Sequence, residues 1–394
     1  MADSPEPIVP PTSPRSRLRP TGAFTWWLIA SGMLVAVGWI KNINLVLLLA
    51  YLLIALVGVN AYSSWRIVRR IQAKRRKSPP AFARESVPIS VEVFNNSSSS
   101  AIVKVRESSG LSPLAWFLPL LPAQARVPLS AMVTFPQRGI QPLPTMEAIS
   151  EYPFGIVRWT HEVCPADTAI VLPALGGINL EHLRQWLLKS GTGEARMQRS
   201  SPRHAPADGD VRGLRPYRVG DSPRDVHWRS SARRQQLLVR EYEQIAPIDL
   251  TIIIDPWVPS LPCDGNAQLR LEWTLSLAIS AAWAWVHSDI SGKITLIVAG
   301  ETPILRTGPG TPGFVRNGFS PLAEITGSPN IPPLPQAAAQ KTRRTIRWVV
   351  SSRPRSPVAQ GIRKMGVAVA VTDPTLRPFW FTPPIGLEVR TRQL

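Results

Sequence analysis

Acidic residues are scarce in this sequence, and cysteines are almost absent. The 394 residues include 45 Lys and Arg against 26 Asp and Glu, a formal net charge of +19. That balance points to an anionic partner: lipid headgroups, nucleic acid or an acidic protein. The two cysteines, Cys164 and Cys263, lack CxxC spacing. They offer neither a disulfide framework nor a thiolate zinc site, fit a reducing compartment and read as small buried residues. Catalytic signatures are missing too. There is no GxxxxGK[ST] loop, no GxSxG elbow and no HExxH pair. His161, His182, His204, His227 and His287 are scattered, and Gly308, Gly310 and Gly313 lie among prolines rather than after a strand. No cofactor is expected, and no enzyme. Proline is abundant instead, with 41 residues, about twice the usual share of ~5 %. Many loops and edge strands follow, because proline breaks helices and is excluded from central strands.

Two charge-free apolar runs stand near the start, 24–40 (FTWWLIASGMLVAVGWI) and 45–61 (LVLLLAYLLIALVGVNA). Each reaches the short end of the roughly 17–25 residues that span a hydrocarbon core. Trp26, Trp27, Trp39, Tyr62 and Trp65 flank them, as interfacial aromatics do. Only Lys41, Asn42, Ile43 and Asn44 separate the runs, which predicts a transmembrane hairpin over 21–65. Arg15, Arg17 and Arg19 precede it. Arg66, Arg69, Arg70, Lys74, Arg75, Arg76 and Lys77 follow, in a basic juxtamembrane segment over 66–78. The positive-inside rule then places both ends in the cytoplasm. The trailing cations are expected to face anionic lipid headgroups.

Residues 1–20, rich in Pro and Ser, read as a disordered cytoplasmic tail. Over 79–175 the period is two: Val87, Ile89, Val91 and Val93 alternate with polar residues, NNSSSS (95–100) makes a turn, and 101–105 returns as the second arm of a hairpin. With a further strand at 126–135, this region predicts a small β-sandwich. A helix at 180–189 and an aperiodic basic stretch make a linker over 176–207. From 244 to 394, strands at 250–255, 294–299, 346–351 and 367–372 alternate with helices at 268–286 and 358–365. That pattern predicts a doubly wound parallel sheet.

Between these parts lies GDVRGLRPYRVGDSPRDVHWRSSAR, residues 209–233, followed by RQQLLVREY. Arg215, Tyr217, Gly220, Asp221, Arg224, Val226, Trp228, Ala232 and Arg233 stand at the spacing R-x-Y-x-x-G-D-x-x-R-x-I-x-W-x-x-x-A-R. This resembles the signature of the domain-of-unknown-function-58 family, a bacterial group; the segment 152–157 (YPFGIV) is similar to its DPFGLF-type strand entry. The resemblance implies a membrane hairpin, a β-domain, the signature (208–243) and a von Willebrand factor A-like, Rossmann-type α/β domain. It also implies a multi-pass protein of the bacterial inner membrane, partnered by a MoxR-type AAA+ ATPase in envelope assembly or stress. The residues themselves leave two readings open. Asp221 can pair with Arg215, Arg224 or Arg233 in a structural clasp. Alternatively, the 13 Lys and Arg against 5 Asp and Glu over 184–240 form a surface for phosphate, nucleic acid or an acidic loop.

Domains of the von Willebrand type often hold a divalent ion through D-x-S-x-S at the end of the first strand. Here Asp255 ends that strand, but Trp257 and Pro259 replace the serines. With Asp373 as the one further carboxylate, the cage is too poor in oxygen ligands for a hard cation. The expected function is therefore a membrane-anchored, non-enzymatic adaptor. The alternatives are a tethered binder of nucleic acid or another anionic ligand, and a metal-dependent enzyme with a degenerate site.

Overall fold

The structure, a computed structural model, describes residues 16–108, 114–183, 185, 211–242, 248–261, 265–288, 291–331, 345–353, 355–362, 367–370 and 381–384. The chain divides into two compact units, residues 1–171 and 172–394.

In the first unit, β1 (Ser16–Pro20) leads into α1 (Gly22–Ile40) and α2 (Asn44–Val68). Both helices are long and apolar enough to cross a membrane. Their large side chains are mostly bare, Trp26, Trp39, Leu45 and Leu48 among them. The helices meet where residues are small, at Ser31, Gly38 and Ala50, all buried. A Cβ on Gly38 would lie 2.9 Å from Leu47 Cγ and 3.1 Å from its backbone nitrogen. Small residues let apolar helices approach this closely. Gly38→Leu is therefore expected to cost about 1–3 kcal/mol by overpacking. The loss would be read as a lower melting temperature of the detergent-solubilised protein. Gly32→Leu, with nothing within 4 Å of the added Cβ, is the neutral control.

The strands that follow are β2 (Ile71–Arg75), β3 (Ala81–Phe82), β4 (Ser86–Asn95), β5 (Ala101–Glu107) and β6 (Ala115–Leu121). After them come β7 (Arg126–Thr134), β8 (Gly139–Leu143), β9 (Met146–Ser150), β10 (Val157–Cys164) and β11 (Asp167–Leu172). They form sheets β1-β10-β9-β5-β6, β2-β4-β7 and β3-β11-β8. One core takes Val91 and Val93 from β4, Val103 and Val105 from β5, and Met146 and Ala148 from β9. The five-stranded sheet and the β2-β4-β7 sheet thus share their apolar faces.

Three expectations are corrected here. The segment 86–105 is not a hairpin: β4 pairs with β2 and β7, whereas β5 pairs with β6 and β9. NNSSSS carries the chain from one sheet to the other, and buried Asn95 fixes the crossing by donating to Ser99 O (2.9 Å) and Leu121 O (3.1 Å). Alternation marks which face is apolar, but not which strand lies alongside. Residues 16–20 of the presumed tail are strand β1, paired antiparallel with β10; residues 1–15 lie outside the described ones. The segment 66–78 is not a uniform lipid-facing run. Arg66, Arg69 and Arg70 are exposed at the end of α2, with Arg69 4.9 Å from the Trp65 ring. The chain then enters β2, about 15 Å of strand that carries Lys74 and Arg75 and is followed by Arg76 and Lys77. Arg75 is buried and pairs with Glu107 at 2.9 Å.

The second unit opens with β12 (Gly177–Ile178), paired with β20 (Phe381–Thr382). Residues 180–183 are helical; most of the expected 180–189 helix and the linker lie outside the described residues. Next come β13 (Val211–Pro216), α3 (Trp228–Arg234) and β14 (Leu238–Tyr242). The main sheet comprises β15 (Ile248–Asp255), β16 (Ser291–Val298), β17 (Ile304–Pro309), β18 (Thr345–Ser351) and β19 (Val367–Ala370). Its helices are α4 (Gly265–Val286), α5 (Pro312–Gly318) and α6 (Pro357–Ile362). Strand order is β17-β16-β15-β18-β19. The four strands from β16 to β19 along this order run parallel, and β17 is an antiparallel edge. Ile253, Ile297 and Val349 pack on one face with Val358 of α6. Ile252, Leu296 and Trp348 fill the other. Burial on both faces is why these strands read as continuous apolar runs. The sheet is thus mixed rather than wholly parallel. β17, with Arg306 and Pro309 and a largely exposed face, has the composition of an edge.

Candidate functional site

The signature folds into a small module built on β13 and β14, with Leu214 opposite Arg240 and Pro216 opposite Leu238. Arg215 leaves β13 and meets Asp221 side on: Nη1 to Oδ2 and Nη2 to Oδ1, both 2.6 Å. Asp221 Oδ2 also accepts the Arg218 backbone N–H at 2.8 Å, while its own N–H donates to Arg218 O at 3.0 Å. The turn that returns Asp221 to Arg215 passes through Gly220 at φ 105°, a conformation that favours glycine. A buried carboxylate held by a forked guanidinium is the strong form of this contact. Of the three arginines open to Asp221 by sequence, the fold selects Arg215.

The rest of the module follows from local capping. Ser222 Oγ accepts from Arg224 N–H across a short turn at Pro223–Asp225. His227 caps α3, its Nδ1 accepting the Ser230 N–H at 3.2 Å. Ser231 Oγ accepts the Leu238 N–H at 2.9 Å and so ties α3 to β14. Gln235, at φ 52°, ends the helix.

The module also exposes aromatic and cationic side chains. Trp228 is 65 % exposed, Val219 fully exposed and Tyr217 partly so. Arg218, Arg224, Arg229, Arg233 and Arg234 are exposed, as is Ala232. Among the described residues no carboxylate pairs with those five arginines, and no guanidinium stacks on Trp228.

A second constellation stands at the carboxyl ends of β15 and β18, where Asp255 lies opposite Ser351. Asp255 is fully buried. Its Oδ2 accepts from Ser351 Oγ (3.0 Å), Arg353 Nε (3.0 Å) and Ser356 Oγ, and its Oδ1 accepts from Arg353 Nη2 (3.3 Å). The Arg353 guanidinium stands 5.5 Å from the centre of the Trp257 ring. Chain connections leave β15 and β18 toward opposite sides of the sheet, so this is the topological switch point, where open α/β sheets bind ligands. The donor set does not fit a divalent ion. Both Asp255 oxygens are engaged by a cation of the chain itself, and an ion needing about six oxygen ligands would have to displace it. Asp373 lies outside the described residues. Among those residues no group of three or more His, Cys, Asp or Glu could hold a metal.

Two further titratable groups are shifted by burial. Burial, followed by the Arg69 charge, lowers the His161 imidazole below its ordinary value, and Ser16 Oγ lies 2.7 Å from its Nδ1. Cys164 is free and buried, and burial raises its thiol. Cys263 and His204 lie outside the described residues. The partner that sequence reasoning missed is Arg353, whose only signal was a serine- and arginine-rich SSRPRS segment after a strand.

Residues 213–316 match the model of a family described as "Protein of unknown function DUF58". The match runs from the signature through β15, α4, β16 and β17 into α5, and bears out the family resemblance read from the signature. No curated protein matches the chain.

Proposed function

With the DUF58 match over 213–316 as premise, we propose that the chain is a membrane-anchored, non-enzymatic adaptor. Its partner is a MoxR-type AAA+ ATPase acting in envelope assembly or stress. One observation carries this reading: the signature module exposes Trp228 and Tyr217 together with five arginines that have no carboxylate partner among the described residues. Tryptophan, tyrosine and arginine are the residue types that dominate interface energetics. The α/β unit is read as von Willebrand factor A-like, with Arg353 standing where relatives of that fold place an ion.

Anchoring rests on the two apolar helices. β1 before the hairpin and β2 after it both join the first unit's sheets, so the two flanks share one side. Arg17, Arg19, Arg66, Arg69 and Arg70 crowd that side, against Lys41 at the tip. The positive-inside rule makes it the cytoplasmic side, in a bacterial inner membrane.

The test is affinity capture of the tagged full chain from gently solubilised native membranes, with nuclease, followed by mass spectrometry. The expected result is an AAA+ ATPase whose recovery falls on Trp228→Ala or Arg224→Ala. A hot-spot loss of about 2 kcal/mol would weaken binding roughly 30-fold. Recovery of nucleic acid without an ATPase in an untreated sample, with binding that collapses as salt rises, would instead favour a tethered polyanion binder on the same arginines.

A further inference from the structure

The loop between β9 and β10 presents three consecutive exposed side chains: Tyr152 (46 %), Pro153 and Phe154 (48 %). The loop is not loose. Thr21, which caps α1, donates its hydroxyl to Gly155 O (2.7 Å) and Ile156 O (2.6 Å) and its backbone N–H to Ile156 O (3.2 Å). On α2, Asn60 Nδ2 donates to Glu151 O (3.0 Å), and Asn60 Oδ1 accepts the Val157 N–H (2.7 Å). Ser64 Oγ donates to Tyr152 O (2.8 Å). Asn60 and Ser64 are fully buried, so the loop covers the one polar face of α2.

Both attachment points lie at the same height. α1 and α2 are antiparallel and rise equally from the tip at Lys41, about 1.5 Å per residue. Thr21 at the start of α1 therefore stands level with Asn60–Ser64 near the end of α2. At that level the hairpin carries Trp26, Tyr62 and Trp65, the last two with ring centroids 5.9 Å apart. Exposed Arg66 and Arg69 follow immediately. Aromatics followed by cations are the residue pattern of a headgroup layer. Tyr152, Pro153 and Phe154, on a loop tied to Thr21, Asn60 and Ser64, stand at that level and repeat its chemistry from a different part of the chain. Arg158 is on the adjoining strand, in an exposed pair with Glu151 at 2.5 Å.

We infer that the Tyr152–Phe154 tip is a third membrane contact, a wedge seated in the headgroup layer of the leaflet that holds the open end of the hairpin. This rests on the membrane-anchoring reading above and deepens it. The occupant is the bilayer surface itself, because the tip is continuous with the lipid-facing helices and flanked by cations suited to anionic headgroups. Two helices alone leave the attached β-unit free to tilt; a contact to one side of them restrains it.

The test is spin-label accessibility in the full chain, in phosphatidylethanolamine–phosphatidylglycerol vesicles. The background is Cys164→Ala/Cys263→Ser, with single labels through Phe154→Cys, Leu48→Cys on the bare face of α2, and Glu85→Cys on an exposed turn. Collision with oxygen against a water-soluble nickel chelate reports depth. The expected label at 154 lies about 5–10 Å below the headgroup surface, with 48 deeper and 85 in water. A label at 154 as water-accessible as that at 85, while 48 reads as lipid, overturns the wedge and leaves the anchor standing. A label at 48 that also reads as water overturns both. Protection of 154 from oxygen and chelate alike also overturns the wedge, because it means that protein, a second copy or a partner, covers the tip.

Discussion

Glu107→Ala is expected to destabilise the first unit by about 3–5 kcal/mol, the cost of leaving a buried charge without its counter-ion. Arg75 and Glu107 are both nearly inaccessible and meet at 2.9 Å. Arg75 also donates to Leu143 O and Pro165 O at 3.3 Å and to Pro144 O. Those carbonyls solvate the guanidinium but do not neutralise it. In a unit of this size the loss amounts to roughly 6–20 °C in melting temperature, measurable by thermal unfolding in detergent. Arg75→Met/Glu107→Leu removes both charges at similar volume and should recover most of the loss. A double variant as unstable as Glu107→Ala would show that the carbonyl cradle, and not the charge pair, holds this part of the fold.

The second large effect is at Asp255. Asp255→Ala removes the acceptor of four hydrogen bonds and leaves Arg353 over Trp257 without its carboxylate. A cost of about 3–5 kcal/mol is expected again, now in the α/β unit. Divalent ions supply a sharper measurement. Added Mg²⁺ or Ca²⁺ should leave the melting temperature of the native protein unchanged, since the guanidinium already holds both oxygens. Arg353→Ser frees Asp255, Ser351 and Ser356, three oxygen ligands on adjacent segments. If this variant alone gains stability from the ions, the arginine is the built-in substitute for a metal. Stabilisation of the native protein would refute that idea.

The sequence made the repeating parts legible and the long-range partners illegible. α1 and α2 are written in two uncharged runs, and β15, β16 and β18 in apolar runs that match the observed strands to within a few residues at each end. The signature named Asp221 and its three possible arginines, and the structure chose one. By contrast, β1 carries two arginines and a proline in five residues, so its strand character comes from pairing with β10, 145 residues away at Ser16–His161. Arg75 sits inside a basic run and gives no sign of being buried, because the carboxylate that draws it inward is 32 residues away. Arg353 lies 98 residues beyond Asp255. β4 and β5 share the right alternation but belong to different sheets, since periodicity fixes a face and not a neighbour.

The attachment of Thr21 to Ile156 also sets an order of events during synthesis. The two residues are separated by 135 positions. At about 5–20 residues per second of elongation, roughly 7–27 s pass between the appearance of Thr21 and that of its acceptor. During that interval β1 has no strand to pair with, and Asn60 and Ser64 have no carbonyls to satisfy them. The hairpin must therefore find its place while its polar face is still open, and the emerging β9–β10 loop closes that face afterwards. A nascent chain arrested before residue 157 would carry a formed but unlatched hairpin, with its N-terminal strand exposed to whatever protease or chaperone attends the ribosome.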